Sequence, residues 1–134
     1  MPASRSEELP LRSGADVVKV RQVVRIWAAE MGFSLVDQTK LVTGASELAR
    51  NTLDHGRGGS VRLEIMEDGG RRGLGMTFED RGPGIPNINL ALTDGYTTGN
   101  GLGLGLSGTR RLMTEFRIDS EPGRGTRVYC ARWR

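Results

Sequence analysis

The sequence predicts a two-layer α/β (α+β) sandwich, in which a mixed, mostly antiparallel sheet carries helices on one face. Three observations lead to it. Two long segments near the start place apolar residues at helical spacing. Four shorter segments, at 60–67, 74–79, 116–120 and 126–133, alternate or concentrate apolar residues as half-buried strands do. Most of the 20 glycines concentrate at 56–59, 69–75, 82–84, 99–108 and 123–125, where the backbone must bend sharply or approach something closely. The order α-α-β-β-loop-α-β-β segregates helices from strands, and helices segregated in this way pack on one side of a sheet.

Each element has its own justification. Leu9–Arg12 reads as a short edge strand. From Ala15 to Met31, the residues Val17, Val18, Val20, Val23, Val24, Trp27, Ala28 and Met31 recur at helical spacing, with Asp16 as a candidate cap and Gly32 as the stop. A second helix starts near Ser34 and runs to His55, with Gly56 as its C-terminal glycine. Val61, Leu63 and Ile65 alternate within 60–67, and Leu74, Met76 and Phe78 alternate within 74–79. The polar turn EDGGRRG between them makes the pair a hairpin. Residues 80–108 form a long stretch without periodicity, and a stretch of that kind within a compact domain is functional or disordered. Its retained Ile85, Ile88, Leu90, Leu92 and Tyr96 favour function. A third helix spans about Leu104 to Thr114. Strands Phe116–Ser120 and Thr126–Trp133, joined by EPGRG, close the chain.

Composition bounds the function. With 134 residues, 37% hydrophobic and 26% charged, the chain reads as one domain, 1–134, with one core. No apolar run has the length of a bilayer span, and the polar N-terminus is expected to be neither a secretory signal nor a transit peptide. A cytoplasmic protein without membrane attachment is therefore expected. The lone Cys130 forms no internal disulfide and reads as a buried strand thiol. A net charge of +3 rests mainly on arginines, but aromatics are only 5% of the chain and no reading helix is recognisable, which argues against nucleic-acid binding. A polyphosphate or an acidic partner accounts for the bias as well.

Three segments carry chemistry. Glu47 and Asn51 stand four apart on the second helix, hence on one face. The amide oxygen of Asn51 can ligate Mg²⁺ while the carboxylate of Glu47 polarises a nucleophile; taken alone, the pair could equally be a solvated helix face. Asp80 ends a strand and is followed by Gly82, Gly84 and Ile85. A buried carboxylate there would accept from an exocyclic amine such as N6 of adenine. Guanine would oppose acceptor to acceptor at a cost of roughly 1–3 kcal/mol or more, so Asp80 would select ATP over GTP; a Gly-Pro surface turn is the plainer alternative. The run Gly101-Leu102-Gly103-Leu104-Gly105-Leu106 leads into a helix, and glycine backbone before a helix start favours phosphate. It lacks the Gly-Lys-Ser/Thr of a P-loop, and a flexible lid or plain linker stays open.

In order and spacing these segments resemble the nucleotide-binding boxes of the Bergerat-fold (GHKL) ATPases, the superfamily of gyrase, Hsp90, histidine kinases and MutL. The resemblance implies ATP and Mg²⁺ as cofactors, Asn51 as metal ligand and Glu47 as catalytic base. Asp80 falls at the adenine-binding Asp, with Gly82 and Gly84 as its loop. Gly101, Gly103 and Gly105 fall at the glycines of a lid placed at approximately 86–103, and Thr126, in Gly-Arg-Gly-Thr, supports the adenine end. The segments SELARN, EDRGPGIP, DGYTTG and GLGLGLSGTRRLMTEF are similar to the RsbT family of bacterial switch kinases. The family often has Ala where this lid carries Leu104, a change that should leave the backbone contacts unaltered.

That likeness implies a serine/threonine kinase of a stressosome partner-switching pathway. Its partners would be STAS-domain antagonist or scaffold proteins and, on release, a downstream phosphatase or other output protein. Homodimerisation stays open. Two alternatives remain: an anti-sigma factor kinase that sequesters a sigma factor, and a non-catalytic, nucleotide-gated binding module. His55, one turn beyond Asn51, is read as a helix-end residue rather than a phosphoacceptor, because no separate dimerisation helix accompanies it. Trp27 and Trp133 are assigned to the core or its rim.

Overall fold

The structure, a computed structural model, describes residues 3–85, 88, 92 and 105–134. Helix α1 (Gly14–Glu30) turns Val17, Val20, Val24, Trp27 and Ala28 inward. It ends where Gly32 takes φ 84°, a left-handed conformation that glycine adopts without steric cost. Asp16 acts at the helix start, but as a back-bonding residue rather than the cap: its carboxylate accepts from the Arg12 N–H at 2.8 Å, and Ser13 holds the cap position. Helix α2 (Leu35–Asp54) is capped by Ser34, whose hydroxyl accepts from the Asp37 N–H at 3.1 Å. It buries Leu41, Ala45, Leu48 and Ala49 on one stripe.

Five strands form one sheet in the order β1-β2-β3-β5-β4. They are β1 (Ala3–Leu11), β2 (Gly59–Asp68), β3 (Arg71–Asp80), β4 (Glu115–Glu121) and β5 (Gly125–Trp133). Every pairing among the described residues is antiparallel, in keeping with the expected mostly antiparallel sheet. The chain leaves β3, passes through helix α3 (Gly105–Leu112) to the far edge as β4, and returns as β5 into the gap between them. Strand β1 begins six residues before its expected start. Its first residues, Ala3-Ser4-Arg5-Ser6, carry no apolar alternation; backbone pairing with β2 makes them a strand.

Rows of side chains across the sheet explain the core. Leu63, Met76 and Cys130 stand in register, as do Val61, Phe78 and Val128, and all six are buried. Fully burying such side chains contributes roughly 1.5–3 kcal/mol each. The next row is polar. Asp80, Thr126 and Ser120 face one another across β3, β5 and β4 on that same helix-covered face, and so form one end of the sandwich. Burial pushes the Cys130 thiol up to about 12, so this cysteine is the inert core residue expected.

Among the described residues, no helix covers the opposite face of the sheet. There, Trp133 lies over Gly73, and Tyr129 and Met66 close over Gly75. The Arg71 guanidinium stands 5.6 Å from the Trp133 ring centre. Trp27 is in the core, as expected, with Arg5 stacked at 4.3 Å. One charged residue joins three elements: Arg132 of β5 pairs with Asp37 of α2 at 2.8 Å and donates to the Leu112 carbonyl at the end of α3 at 2.7 Å.

Candidate functional site

Asp80 terminates β3, and three backbone segments converge on its end of the sheet. The end of α2 is first: Gly56 packs so closely that a Cβ there would overlap the Asp80 carboxyl group. The loop after β3 is second. The Gly82 N–H donates to Asp80 Oδ1 at 2.9 Å, and Gly82 itself lies against the Gly56 backbone. The turn between β4 and β5 is third, with the Gly123 N–H on the Pro83 carbonyl at 2.8 Å. Gly84, at φ 79°, passes close to the Glu121 carbonyl, an approach that a side chain would block. The carboxylate is thus half-buried and held by backbone alone, with Oδ2 free of any hydrogen bond among the described residues.

The rest of that end is built from hydroxyls. Ser120 Oγ accepts from the Ile85 N–H at 2.7 Å and lies 2.9 Å from Thr126 Oγ1. Ile85 is partly buried against the core. Gly82, Gly84, Ile85 and Thr126 are therefore gathered at the end of the sheet that carries Asp80. Gly105 and Leu106 open α3, with Leu106 buried and Thr109 Oγ1 donating back to the Gly105 carbonyl at 3.0 Å. Gly101, Leu102, Gly103 and Leu104 lie outside the described residues, as does the expected lid at 86–103 apart from Ile88 and Leu92.

Glu47 and Asn51 lie one turn apart on α2, upstream of the Gly56 that backs Asp80. Both are half-buried, and among the described residues neither side chain has a hydrogen bond or ion pair. Polar side chains left uncommitted in a folded protein are available to a ligand. No three His, Cys, Asp or Glu side chains converge among the described residues. Mg²⁺ keeps much of its water and binds through one or two protein oxygens plus phosphates. Asn51 fits such a role. Arg50 and Arg81 are exposed, and His55 caps α2 from an exposed position.

A groove of about 490 Å³ lies elsewhere, along the seam between α1 and α2. Arg21 and Arg25 line one wall and Leu35, Thr39 and Val42 the other, with Glu47 among its lining residues. The two arginines form no ion pair among the described residues. Sequence patterns do not reveal this groove, because it depends on how two helices pack. Ser120 and Gly56 also escape them as site residues. The signal for Ser120 is its step with Phe116 and Ile118, which puts a polar residue on the core face of its strand.

Comparisons with known proteins agree with this fold. Residues 36–133 match the family described as histidine kinase-, DNA gyrase B- and HSP90-like ATPase. The chain is 44% identical over 118 residues to the serine/threonine-protein kinase RsbT of Bacillus subtilis (strain 168), covering 88% of this chain and 89% of that one. It is 31% identical over 114 residues to an anti-sigma F factor of Clostridium kluyveri, covering 81% and 79%. Among solved structures, its fold is similar to that of the RsbU and RsbW domains of Rv1364c from Mycobacterium tuberculosis. The TM-score is 0.62 at 21% identity, over 96% of this chain and 32% of that longer one.

Proposed function

This chain belongs to the histidine kinase-, DNA gyrase B- and HSP90-like ATPase family, and within it to the RsbT serine/threonine kinases; we propose that it phosphorylates a STAS-domain antagonist or scaffold protein on serine or threonine. On release from that partner it binds and activates a downstream phosphatase or other output protein. The observation that carries the reading is the half-buried Asp80 carboxylate, cradled by glycine backbone, with the uncommitted Glu47 and Asn51 on the helix that backs it.

Asp80 holds the base through its exocyclic amine, and Thr126 supports the same edge. Asn51 would hold Mg²⁺, which when bound neutralises charge on the phosphates. Gly101, Gly103 and Gly105, with the start of α3, take the phosphate end. Glu47 accepts the proton of the incoming hydroxyl; that oxygen then attacks the γ-phosphorus in line, and the bond to the β-bridging oxygen breaks with ADP leaving. The groove supports delivery of a protein substrate: Glu47 is among its lining residues, and its arginines suit an acidic segment flanking the acceptor hydroxyl.

Purified protein, a STAS-domain substrate and labelled ATP test this. Glu47→Ala should lower phosphotransfer by about 10²–10⁴-fold while calorimetry still shows magnesium-dependent ATP binding. Transfer at the unaltered rate would remove Glu47 as the base. A second reading, capture of a sigma factor, rests on the 31% identity to the anti-sigma F factor; a pull-down that retains a sigma factor rather than a STAS protein or phosphatase would favour it.

A further inference from the structure

Ser120 has no role in the kinase reading, yet its hydroxyl touches every backbone segment at the base end of the site except α2. It accepts from the Ile85 N–H at 2.7 Å, lies 2.9 Å from Thr126 Oγ1, and lies 3.2 Å from the Gly125 carbonyl. A serine hydroxyl offers one proton and two lone pairs. The Ile85 N–H takes one lone pair. The single proton then has two claimants, the Gly125 carbonyl and Thr126 Oγ1.

These two arrangements give the cleft opposite polarities. If the proton goes to the Gly125 carbonyl, Thr126 must donate to the second lone pair of Ser120. Thr126 then presents only acceptors, beside a carboxylate that is also only an acceptor. If the proton goes to Thr126, the Thr126 proton is released and can be donated into the cleft. Adenine shows an amino donor next to a ring-nitrogen acceptor along one edge; guanine shows a carbonyl acceptor next to an N–H donor. An acceptor at Asp80 and a donor at Thr126 complement the first and oppose the second. The register of Asp80, Thr126 and Ser120 across three adjacent strands sets the row in which this choice is made.

We propose that Ser120 is a positioning residue for purine selection: by donating to Thr126 it turns that hydroxyl into a donor toward the ring, while its bond to Ile85 fixes the loop beside Asp80. The proposal rests on Asp80 as the base-binding carboxylate. A leaving group or a protein acceptor plays no part in it, so the effect belongs to nucleotide affinity and to the KM for ATP, with kcat little changed.

The test measures Kd for magnesium-ATP and magnesium-GTP by calorimetry on the full chain, for Ser120→Ala, Ser120→Cys and Ser120→Thr. Cysteine keeps the volume and donates weakly; threonine keeps the hydroxyl. Ser120→Ala and Ser120→Cys should each weaken ATP binding about tenfold and GTP binding by a smaller factor, lowering the ATP-to-GTP ratio, and Ser120→Thr should restore it. Equal loss for both nucleotides, or no loss of ATP affinity, overturns the proposal; if alanine does not fold, the cysteine variant decides in its place. Asp80→Asn is the independent arm. If it leaves ATP affinity intact, the base-binding reading has failed first; if it abolishes ATP binding while the Ser120 variants keep the parent ratio, only the role of Ser120 has failed.

Discussion

A methyl group added at Gly56 would fall within the carboxyl group of Asp80, so this position couples the end of α2 to Asp80 through contact alone. Gly56→Ala has two outlets: Asp80 swings away, or the helix end retreats and takes Asn51 with it. Overpacking of this kind costs about 1–3 kcal/mol. Calorimetry should show ATP affinity falling about tenfold or more. Gly14→Ala is the control, because nothing lies within 4 Å of the added atom and binding should be unchanged. If Gly56→Ala binds ATP like the parent, Asp80 is not held where the site needs it. At this scale Glu47, Asn51 and Asp80 are singled out in the sequence by residue type and spacing and Thr126 by the family resemblance; their roles in the site are those proposed above. Gly56 shows in the sequence only as a helix stop, because its contact with Asp80 joins distant positions of the chain and no local pattern encodes it.

Among elements, α1 and α2 leave the groove in which Arg21 and Arg25 face Leu35 and Val42. Reversing both charges, Arg21→Glu with Arg25→Glu, should raise the KM for the protein substrate about tenfold or more while the Kd for ATP stays at the parent value; an unchanged KM would place the substrate elsewhere. Arg132 acts between elements too. Replacing it with Met keeps the bulk but removes the pair with Asp37 and the donor to the end of α3, and should cost about 1–3 kcal/mol. Urea unfolding measures this, and the loss should shrink in an Asp37→Asn background, since the two side chains share one interaction. The end of α1 and the start of α2 are legible in the sequence because Gly32 and Ser34 act locally; the expected stop at Gly56 does not take the left-handed conformation, which falls instead on Arg57 and Gly58. The start of β1 is not legible, because Ser4–Glu8 is a strand by virtue of its partner β2. The groove and the antiparallel closure of the sheet likewise depend on packing between distant segments.

For the molecule as a whole, a site that binds nucleotide must show up in stability. A ligand at about 100 times its Kd stabilises the folded state by about 2.7 kcal/mol, a rise in Tm on the order of 10 °C for a chain of this size. Magnesium-ATP should give that rise, magnesium-GTP at equal concentration much less, and Asp80→Asn should abolish the difference. Equal shifts for the two nucleotides would mean that phosphate contacts alone hold the ligand. No described helix is long and apolar enough to cross a membrane.

Both tryptophans sit at the end of the sheet remote from Asp80. Trp133 pairs with Gly73, which lies about 23 Å along β3 from Asp80; Trp27 lies under Arg5, which pairs with Ile65 at that same end. The indoles are therefore poor witnesses of what enters the cleft and good witnesses of whether the far end is intact. Emission excited at the indole band should stay flat through an ATP titration and change only on melting, which gives every binding variant above a built-in optical check that its fold has survived.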